Sequence, residues 1–258
     1  MALLTLDYKS EVLSMSMTLK LLYPEKALYA TEIEDIPVLY LLHGMSGDVD
    51  TWMRRTSIER YVKDTNLALV FLDTHDGWYS NTHSGYRYFD AFTQEVPELL
   101  ANLFPKLSRK RSKTFVAGLS MGGYGALKLA LLTNRFSHAA SLSGALDFQD
   151  LEPLVDDFRG LTYWRGVFGD QIFGKDQPDD LVTWLDQADR KTKLFAWCGE
   201  QDFLFPANQR AKVLLEAAGF ELTFTSSPGK HEWYYWDQQI QEVLKWLPID
   251  YQEEERLS

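Results

Sequence analysis

The chain alternates between short apolar runs and longer segments with helical spacing of apolar residues. Short apolar runs without polar alternation are typical of strands buried on both faces of a parallel sheet. We predict six such strands, at residues 37–42, 67–72, 114–117, 139–142, 194–197 and 222–225. Helices are predicted at 57–63, 90–104, 124–132, 206–218 and 233–247. This strand–helix alternation predicts an α/β fold with a mostly parallel, twisted sheet that carries helices on both faces.

Three segments depart from this rhythm. The first 24 residues alternate weakly and end at Pro24, which predicts an antiparallel hairpin at the sheet edge. Pro97 lies inside the 90–104 pattern and predicts a kink or break there. Residues 147–193 carry turn signals and no clear strand, so we expect a helical cap over the carboxyl ends of the strands. Residues 1–258 are otherwise expected to form one domain.

Composition narrows the class of partner. The chain has 258 residues with Lys+Arg 26 against Asp+Glu 37, a formal net charge of −11. Such an acidic surface repels phosphate backbones and anionic lipid, so neither nucleic acid nor a membrane is an expected partner. No apolar run reaches the roughly 18 residues of a membrane helix. With one cysteine and no recognisable secretory signal at the start, we expect a soluble cytoplasmic protein.

A G-x-S-x-G motif carries the candidate chemistry. It occupies residues 118–122, at the end of a predicted strand and before a predicted helix. This is the setting of a nucleophile elbow, whose tight turn leaves no room for side chains beside the serine. The motif predicts Ser120 as a nucleophile; the alternative is a glycine-rich turn with a capping serine.

A serine nucleophile needs a base and an acid, which follow it in the order acid, then histidine. Only His138 and His231 follow Ser120, and His138 precedes its strand, at the end of the sheet away from the elbow. We therefore predict His231, in the loop before the last helix, as the base. Asp202 follows the preceding strand and is the predicted acid, with Asp147 as the alternative.

Two backbone amides are predicted to bind the oxyanion. The residue after the nucleophile supplies one donor, the Met121 N–H. The other is expected from the loop His43-Gly44-Met45-Ser46-Gly47, and we assign it to the Met45 N–H. His43 is interpreted as a structural brace for this loop.

Aromatic residues close to the predicted catalytic loops are candidates for the substrate pocket, with ordinary core packing as the alternative. They are Trp52, Trp78, Tyr79, Phe203 and Trp233. His75, Asp76 and His83 could also indicate a metal site. Serine chemistry needs no metal, so we expect neither a metal nor another cofactor.

Several motifs, in order along nearly the whole chain, resemble those of the esterase D group of α/β-hydrolases, and within it the bacterial tributyrin esterases. The matching segments are residues 41–47, 77–79, 117–125, 141–145, 163–169, 197–203 and 231–236. The resemblance implies an α/β-hydrolase fold and a serine carboxylesterase acting on short-chain acyl esters, with the triad Ser120, Asp202 and His231. Relatives also cleave acetylated sugars or cinnamoyl esters and often form dimers or tetramers.

Other activities fit the same residues. S-Formylglutathione hydrolases of the group carry a Thr-Cys pair where this chain has Ser46-Gly47. The difference argues against a glutathione thioester as substrate without excluding thioester hydrolysis. An acyltransferase could use the same triad. A catalytically inactive interaction module is the alternative outside enzymes, and the complete set of triad residues argues against it.

Overall fold

The structure is a computed structural model that describes residues 1–148, 159–170 and 178–252. It contains a sheet of eight strands: β1 (Ala2–Ser10), β2 (Met15–Tyr23), β3 (Val38–Leu42), β4 (Ala68–Leu72), β5 (Thr114–Leu119), β6 (His138–Leu142), β7 (Lys193–Gly199) and β8 (Leu222–Ser227). Their spatial order is β1-β2-β4-β3-β5-β6-β7-β8. The β1–β2 and β2–β4 pairs are antiparallel and the other pairs are parallel. The predicted edge hairpin and the mostly parallel sheet are confirmed.

The burial of each strand follows from its place in the sheet. Every residue of β3 and β4 is buried, as expected for strands covered on both faces. Alternate residues of β3 enter two separate apolar layers: Val38 and Tyr40 face one, Leu39 and Leu41 the other. The edge strand β1 instead alternates half-buried and exposed positions, because only one of its faces is covered.

Helices cover both faces of the sheet. They are α1 (Lys26–Tyr29), α2 (Thr51–Arg55), α3 (Ile58–Val62), α4 (Tyr88–Asp90), α5 (Val96–Leu103), α6 (Met121–Leu131), α7 (Gly160–Phe168), α8 (Leu181–Leu185), α9 (Phe205–Ala217) and α10 (Trp233–Trp246). Apolar residues of α5, α6 and α9 pack in one layer, and those of α3 and α10 pack in the other. No helix among the described residues is long and apolar enough to cross a membrane.

The predicted interruption at Pro97 has a specific form. A π-helical turn, Ala91–Glu95, separates α4 from α5, and Pro97 lies in the first turn of α5. Proline lacks the N–H that would bond to the Thr93 carbonyl oxygen four residues earlier, and this oxygen instead accepts from Arg135 Nε at 2.5 Å. The backbone stays in the α region at Asp90, Glu95 and Val96, so the helix continues from Tyr88 to Leu103 and the proline changes its hydrogen bonding without breaking it.

The predicted cap falls only partly within the described residues. Positions 149–158 and 171–177 of the 147–193 segment lie outside them. The described part of the segment contains two helices, α7 and α8. Trp164 of α7 packs its ring against Trp78, with centroids 5.5 Å apart. Before α8, Asp179 forms an ion pair with Lys128 of α6, which joins this segment to the elbow helix.

Candidate active site

The turn between β5 and α6 holds Ser120 in a strained conformation. Its φ of 53° and ψ of −121° are values that residues other than glycine rarely adopt. Glycine is required on both sides by close backbone approach. A Cβ on Gly118 would lie 2.2 Å from the Gly122 carbonyl oxygen, and one on Gly122 would lie 2.3 Å from the Leu42 carbonyl oxygen. Helix α6 begins at Met121, three residues before the predicted start. Its contacts with β3 and β5 outweigh the low helix propensity of Gly122 and Gly123.

Ser120, His231 and Asp202 form a continuous hydrogen-bonded chain. The His231 Nε2 lies 3.0 Å from the Ser120 Oγ, and its Nδ1 lies 2.8 Å from Asp202 Oδ2. The Asp202 side chain is 0% exposed against 21% for His231, so the carboxylate is shielded from water and the imidazole reaches the site. The Leu204 N–H donates to the second oxygen of Asp202 at 2.9 Å. In this arrangement the imidazole can accept the serine proton while Asp202 fixes its tautomer.

The alternative base and acid lie elsewhere. His138 pairs with Phe115 and Lys193 at the amino end of β6, and its ring packs on Trp246 with centroids 4.9 Å apart. Burial, with a smaller contribution from the Lys193 charge, lowers the pKa of His138 to about 4. Asp147 accepts a hydrogen bond from Arg210 Nε at 2.5 Å. The structure thus places Asp202, rather than Asp147, beside His231.

The loop at residues 43–47 runs alongside the elbow. A Cβ on Gly44 would lie 2.8 Å from Leu119 Cδ1 and 3.4 Å from Ser120 Cβ. The His43 ring contacts the Gly44 carbonyl oxygen through Nδ1 at 2.8 Å and the Thr74 N–H through Nε2 at 3.3 Å, in keeping with a bracing role. Within the described ranges, no hydrogen bond occupies the Met45 or Met121 amide.

Asp76 and Arg159 hold this loop from outside. Ser46, next to Met45, has a positive φ of 63°, and its N–H donates to Asp76 Oδ1 at 2.7 Å. Arg159 Nη2 donates to Ser46 Oγ at 2.6 Å and to Asp76 Oδ2 at 3.1 Å. Tyr163 OH also donates to the Asp76 carbonyl oxygen at 2.7 Å. These contacts support a backbone conformation that would otherwise be unfavourable.

The same contacts bear on the metal hypothesis for His75, Asp76 and His83. The carboxylate of Asp76 accepts from Ser46 and Arg159, and His75 Nδ1 lies 3.1 Å from the Tyr88 hydroxyl. In the part of the chain that the structure describes, no group of three or more His, Cys, Asp or Glu residues is placed to hold a metal ion.

A cavity of about 590 Å³ opens in front of Ser120 and His231. Three of the five candidate aromatic residues line it: Trp78, Phe203 and Trp233. Phe203 is 53% exposed, and its ring centroid lies 4.8 Å from that of His231. The other two lie deeper. Trp52 packs edge-on against Trp233 and donates from Nε1 to the Leu42 carbonyl oxygen, and the Tyr79 hydroxyl donates to the His43 carbonyl oxygen.

Sequence reasoning missed several residues of the cavity wall. Arg54 and Arg55 belong to α2, a five-residue helix too short to give a periodic signal, and Trp236 lies on α10 behind His231. Arg159 reaches the loop from 113 residues away in sequence. The position of α2 shortly after the 43–47 loop could have indicated that Arg54 and Arg55 lie near the site. The sequence carries no comparable signal for Arg159.

The sheet order, the elbow between β5 and α6, and the histidine and aspartate loops after β8 and β7 define an α/β-hydrolase fold. The profile of the Esterase family, described as "Putative esterase", matches residues 10–247, and the chain belongs to that family. An acetyl esterase of Caldicellulosiruptor saccharolyticus is 30% identical over 262 residues, which cover 96% of this chain and 98% of the relative.

Two solved structures from Staphylococcus aureus are also similar. One is the fluorophosphonate-binding serine hydrolase F, with a TM-score of 0.86 and 32% identity over 95% of this chain and 98% of that one. The other is an S-formylglutathione hydrolase, with a TM-score of 0.83, 33% identity and the same coverage. Together with the family match, these similarities identify the chain as a carboxylic ester hydrolase and confirm the expected esterase D-type α/β-hydrolase.

Proposed function

We propose that this protein is a serine carboxylesterase that hydrolyses short-chain acyl esters through an acyl-enzyme on Ser120. The observation that carries the proposal is the hydrogen-bonded chain from Ser120 Oγ through His231 to the buried Asp202, which opens into the cavity. The similarity to an acetyl esterase along nearly the whole chain supports a small acyl group. Acetylated sugars are one substrate class within this proposal.

Acylation begins when His231 Nε2 takes the proton from Ser120 Oγ as the oxygen attacks the ester carbonyl. A negative charge then develops on the carbonyl oxygen, and the amides of Met45 and Met121 donate hydrogen bonds to it. Both donors are attached to backbone that is held by packing, so little reorganisation is needed as the charge forms. The imidazolium is stabilised by Asp202 at 2.8 Å.

Collapse of the tetrahedral intermediate breaks the bond to the leaving alcohol, which takes its proton from His231 and departs. The neutral imidazole next accepts a proton from water, whose oxygen attacks the acyl-serine carbonyl. A second tetrahedral intermediate collapses, the proton returns to Ser120 Oγ, and the carboxylic acid is released. The same two amides serve both halves of the reaction.

Hydrolysis of 4-nitrophenyl acetate, butyrate and octanoate tests this proposal, with Ser120→Ala as the matched control. We expect the highest kcat/KM on acetate or butyrate and loss of several orders of magnitude in kcat in Ser120→Ala. Activity equal in the two proteins on every ester would contradict it.

Thioester hydrolysis is a second candidate function. The specific observation in its favour is the 33% identity to an S-formylglutathione hydrolase, and an acyl-serine forms equally from a thioester. Comparing kcat/KM for an acetyl thioester and an acetyl ester of matched size separates the two. An acyltransferase would instead show faster turnover when an alcohol acceptor is added. Cytoplasmic location and assembly into dimers or tetramers stay predictions, and sedimentation velocity tests the assembly.

A further inference from the structure

Two adjacent arginines line the cavity beside Ser120. Arg54 and Arg55 close α2, the helix that follows the 43–47 loop, and both belong to the cavity wall. Their side chains are exposed, and neither forms an ion pair or hydrogen bond with any residue that the structure describes. Each guanidinium therefore presents its donors to whatever occupies the cavity or to solvent.

This lack of partners is unusual for an arginine in this chain. Acidic residues outnumber basic ones by 37 to 26, so carboxylates are abundant. Six other arginines have an acidic partner: Arg87 with Asp90, Arg109 with Glu98, Arg111 with Asp189, Arg159 with Asp76, Arg165 with Asp170 and Arg210 with Asp147. Arg135 and Arg190 donate to carbonyl oxygens instead, whereas Arg54 and Arg55 have no carboxylate or carbonyl partner among the described residues.

The cavity wall is cationic within an acidic protein. Its formally charged residues are Asp48, Arg54, Arg55 and Arg159. Asp48 Oδ1 is engaged by the Thr51 hydroxyl at 2.8 Å and the Asp50 N–H at 2.9 Å. Arg159 is paired with Asp76. Asp48 accepts only these neutral hydrogen bonds and keeps its charge, so the wall carries two unpaired positive charges against one negative charge and is net positive.

We propose that Arg54 and Arg55 form a subsite for a carboxylate on the ester substrate. The proposal rests on the proposed esterase function and narrows its substrate class. A guanidinium matches the geometry of a carboxylate with two parallel N–H donors, and this pairing is stronger than a neutral hydrogen bond. A substrate with an ester group and a free carboxylate would place the first at Ser120 and the second at α2. The carboxylate takes no part in the chemistry; it orients the ester.

Two pairs of esters test the subsite and show which side of the ester bond it recognises. On the alcohol side, 4-acetoxybenzoate is compared with 4-acetoxybenzamide. On the acyl side, phenyl hydrogen adipate is compared with phenyl hexanoate. For each pair, kcat/KM of the anionic ester is divided by that of the neutral ester, and this ratio is compared between proteins, which cancels the intrinsic reactivity of the esters.

The test variant is Arg54→Gln/Arg55→Gln. The matched control is Arg60→Gln/Lys63→Gln, which removes two positive charges from α3 and its end, outside this cavity. We expect the ratio to fall about 10-fold in the test variant on one of the two pairs, and less than about 2-fold in the control. The ratio removes any change in rate that the anionic and neutral esters share, and an unchanged Tm of the test variant verifies folding.

An unchanged ratio on both pairs in Arg54→Gln/Arg55→Gln would overturn the subsite while leaving the esterase proposal intact. An equal fall in the control variant would also overturn it, because long-range attraction between charges would then explain the effect. Failure of the esterase proposal looks different: wild type would hydrolyse no ester, neutral or anionic, faster than Ser120→Ala.

Discussion

Loss of the positive charge at Lys128 should destabilise the fold strongly. The Lys128 side chain is 5% exposed, and its Nζ forms an ion pair with Asp179 and donates to Ser80 Oγ at 2.6 Å. The ammonium also lies 5.5 Å and 5.8 Å from the ring centroids of Tyr124 and Trp184. Lys128→Met keeps most of the side-chain volume but removes the ammonium from beside the Asp179 carboxylate, which is 19% exposed.

The expected magnitude follows from that burial. Breaking a buried ion pair by removing one partner costs about 3–5 kcal/mol. Unfolding entropy of about 2.1 cal/mol/K per residue gives roughly 0.54 kcal/mol/K for this chain, so each kcal/mol lowers Tm by about 2 °C. Lys128→Met should therefore lower Tm by about 6–9 °C in calorimetry at pH 7.

A double-mutant cycle tests the reason for this loss. Asp179→Leu alone strands the lysine, whereas Lys128→Met/Asp179→Leu removes both charges from the same site. We expect the double variant to lose less unfolding free energy than the two single variants lose in sum, by at least about 1.5 kcal/mol. Additivity within about 0.5 kcal/mol would refute the reasoning, because the two side chains would then not be coupled.

Three further predictions concern the loop, a buried histidine and the cysteine. Asp76→Ala should lower kcat about 10- to 100-fold on 4-nitrophenyl butyrate with little change in KM. Asp76 holds Ser46, the residue after Met45, and the Met45 amide stabilises the substrate only once negative charge has developed on its carbonyl oxygen. Burial lowers the pKa of His138 to about 4 from an ordinary value of about 6.5, so the free energy of unfolding should fall as pH drops from 6.5 to 4. After discounting for partial exposure this loss is about 1–2 kcal/mol, and urea unfolding at pH 7 and 4.5 should show a smaller loss in His138→Gln. Burial raises the pKa of Cys198 to about 12, so the native protein should not react with Ellman's reagent, while the unfolded chain should release one equivalent.

Each of these has an outcome that contradicts it. For Asp76, the control is His75→Ala, the exposed neighbour; equal losses of kcat in the two variants would mean that the loop is not held by the carboxylate. For His138, an unchanged difference in unfolding free energy between the two pH values in His138→Gln would assign the acid sensitivity to other groups. For Cys198, rapid reaction in the native state would show that β7 opens readily.

Much of the fold was predictable because burial leaves a local signature. The five-residue strand β3 is apolar at every position, since it is covered on both faces, and the alternation in β1 marks an edge. Chain order then placed the candidate site: in a parallel sheet, the loops after β5, β7 and β8 all emerge at the same edge. Ser120, Asp202 and His231 could thus be grouped without any knowledge of distances.

What the sequence left open depends on contacts between distant segments. An aromatic residue after a strand can face a cavity or the core: Trp233 lines the cavity, whereas Trp52 packs behind it. The link from Arg159 to Ser46 spans 113 residues and has no local pattern. The sequence does not reveal the early start of α6, because Gly122, which disfavours a helix, is the residue that lets α6 approach β3.

Covalent labelling of Ser120 tests the central claim most directly. Diethyl 4-nitrophenyl phosphate transfers one diethylphosphoryl group to a serine that is activated by a neighbouring base, and the adduct mimics the tetrahedral intermediate. We predict a single adduct in the intact mass, located by peptide mapping on Ser120, with esterase activity lost in proportion to labelling. The matched variant His231→Ala should label far more slowly. An adduct on another residue, or full inhibition with Ser120 unmodified, would contradict the account.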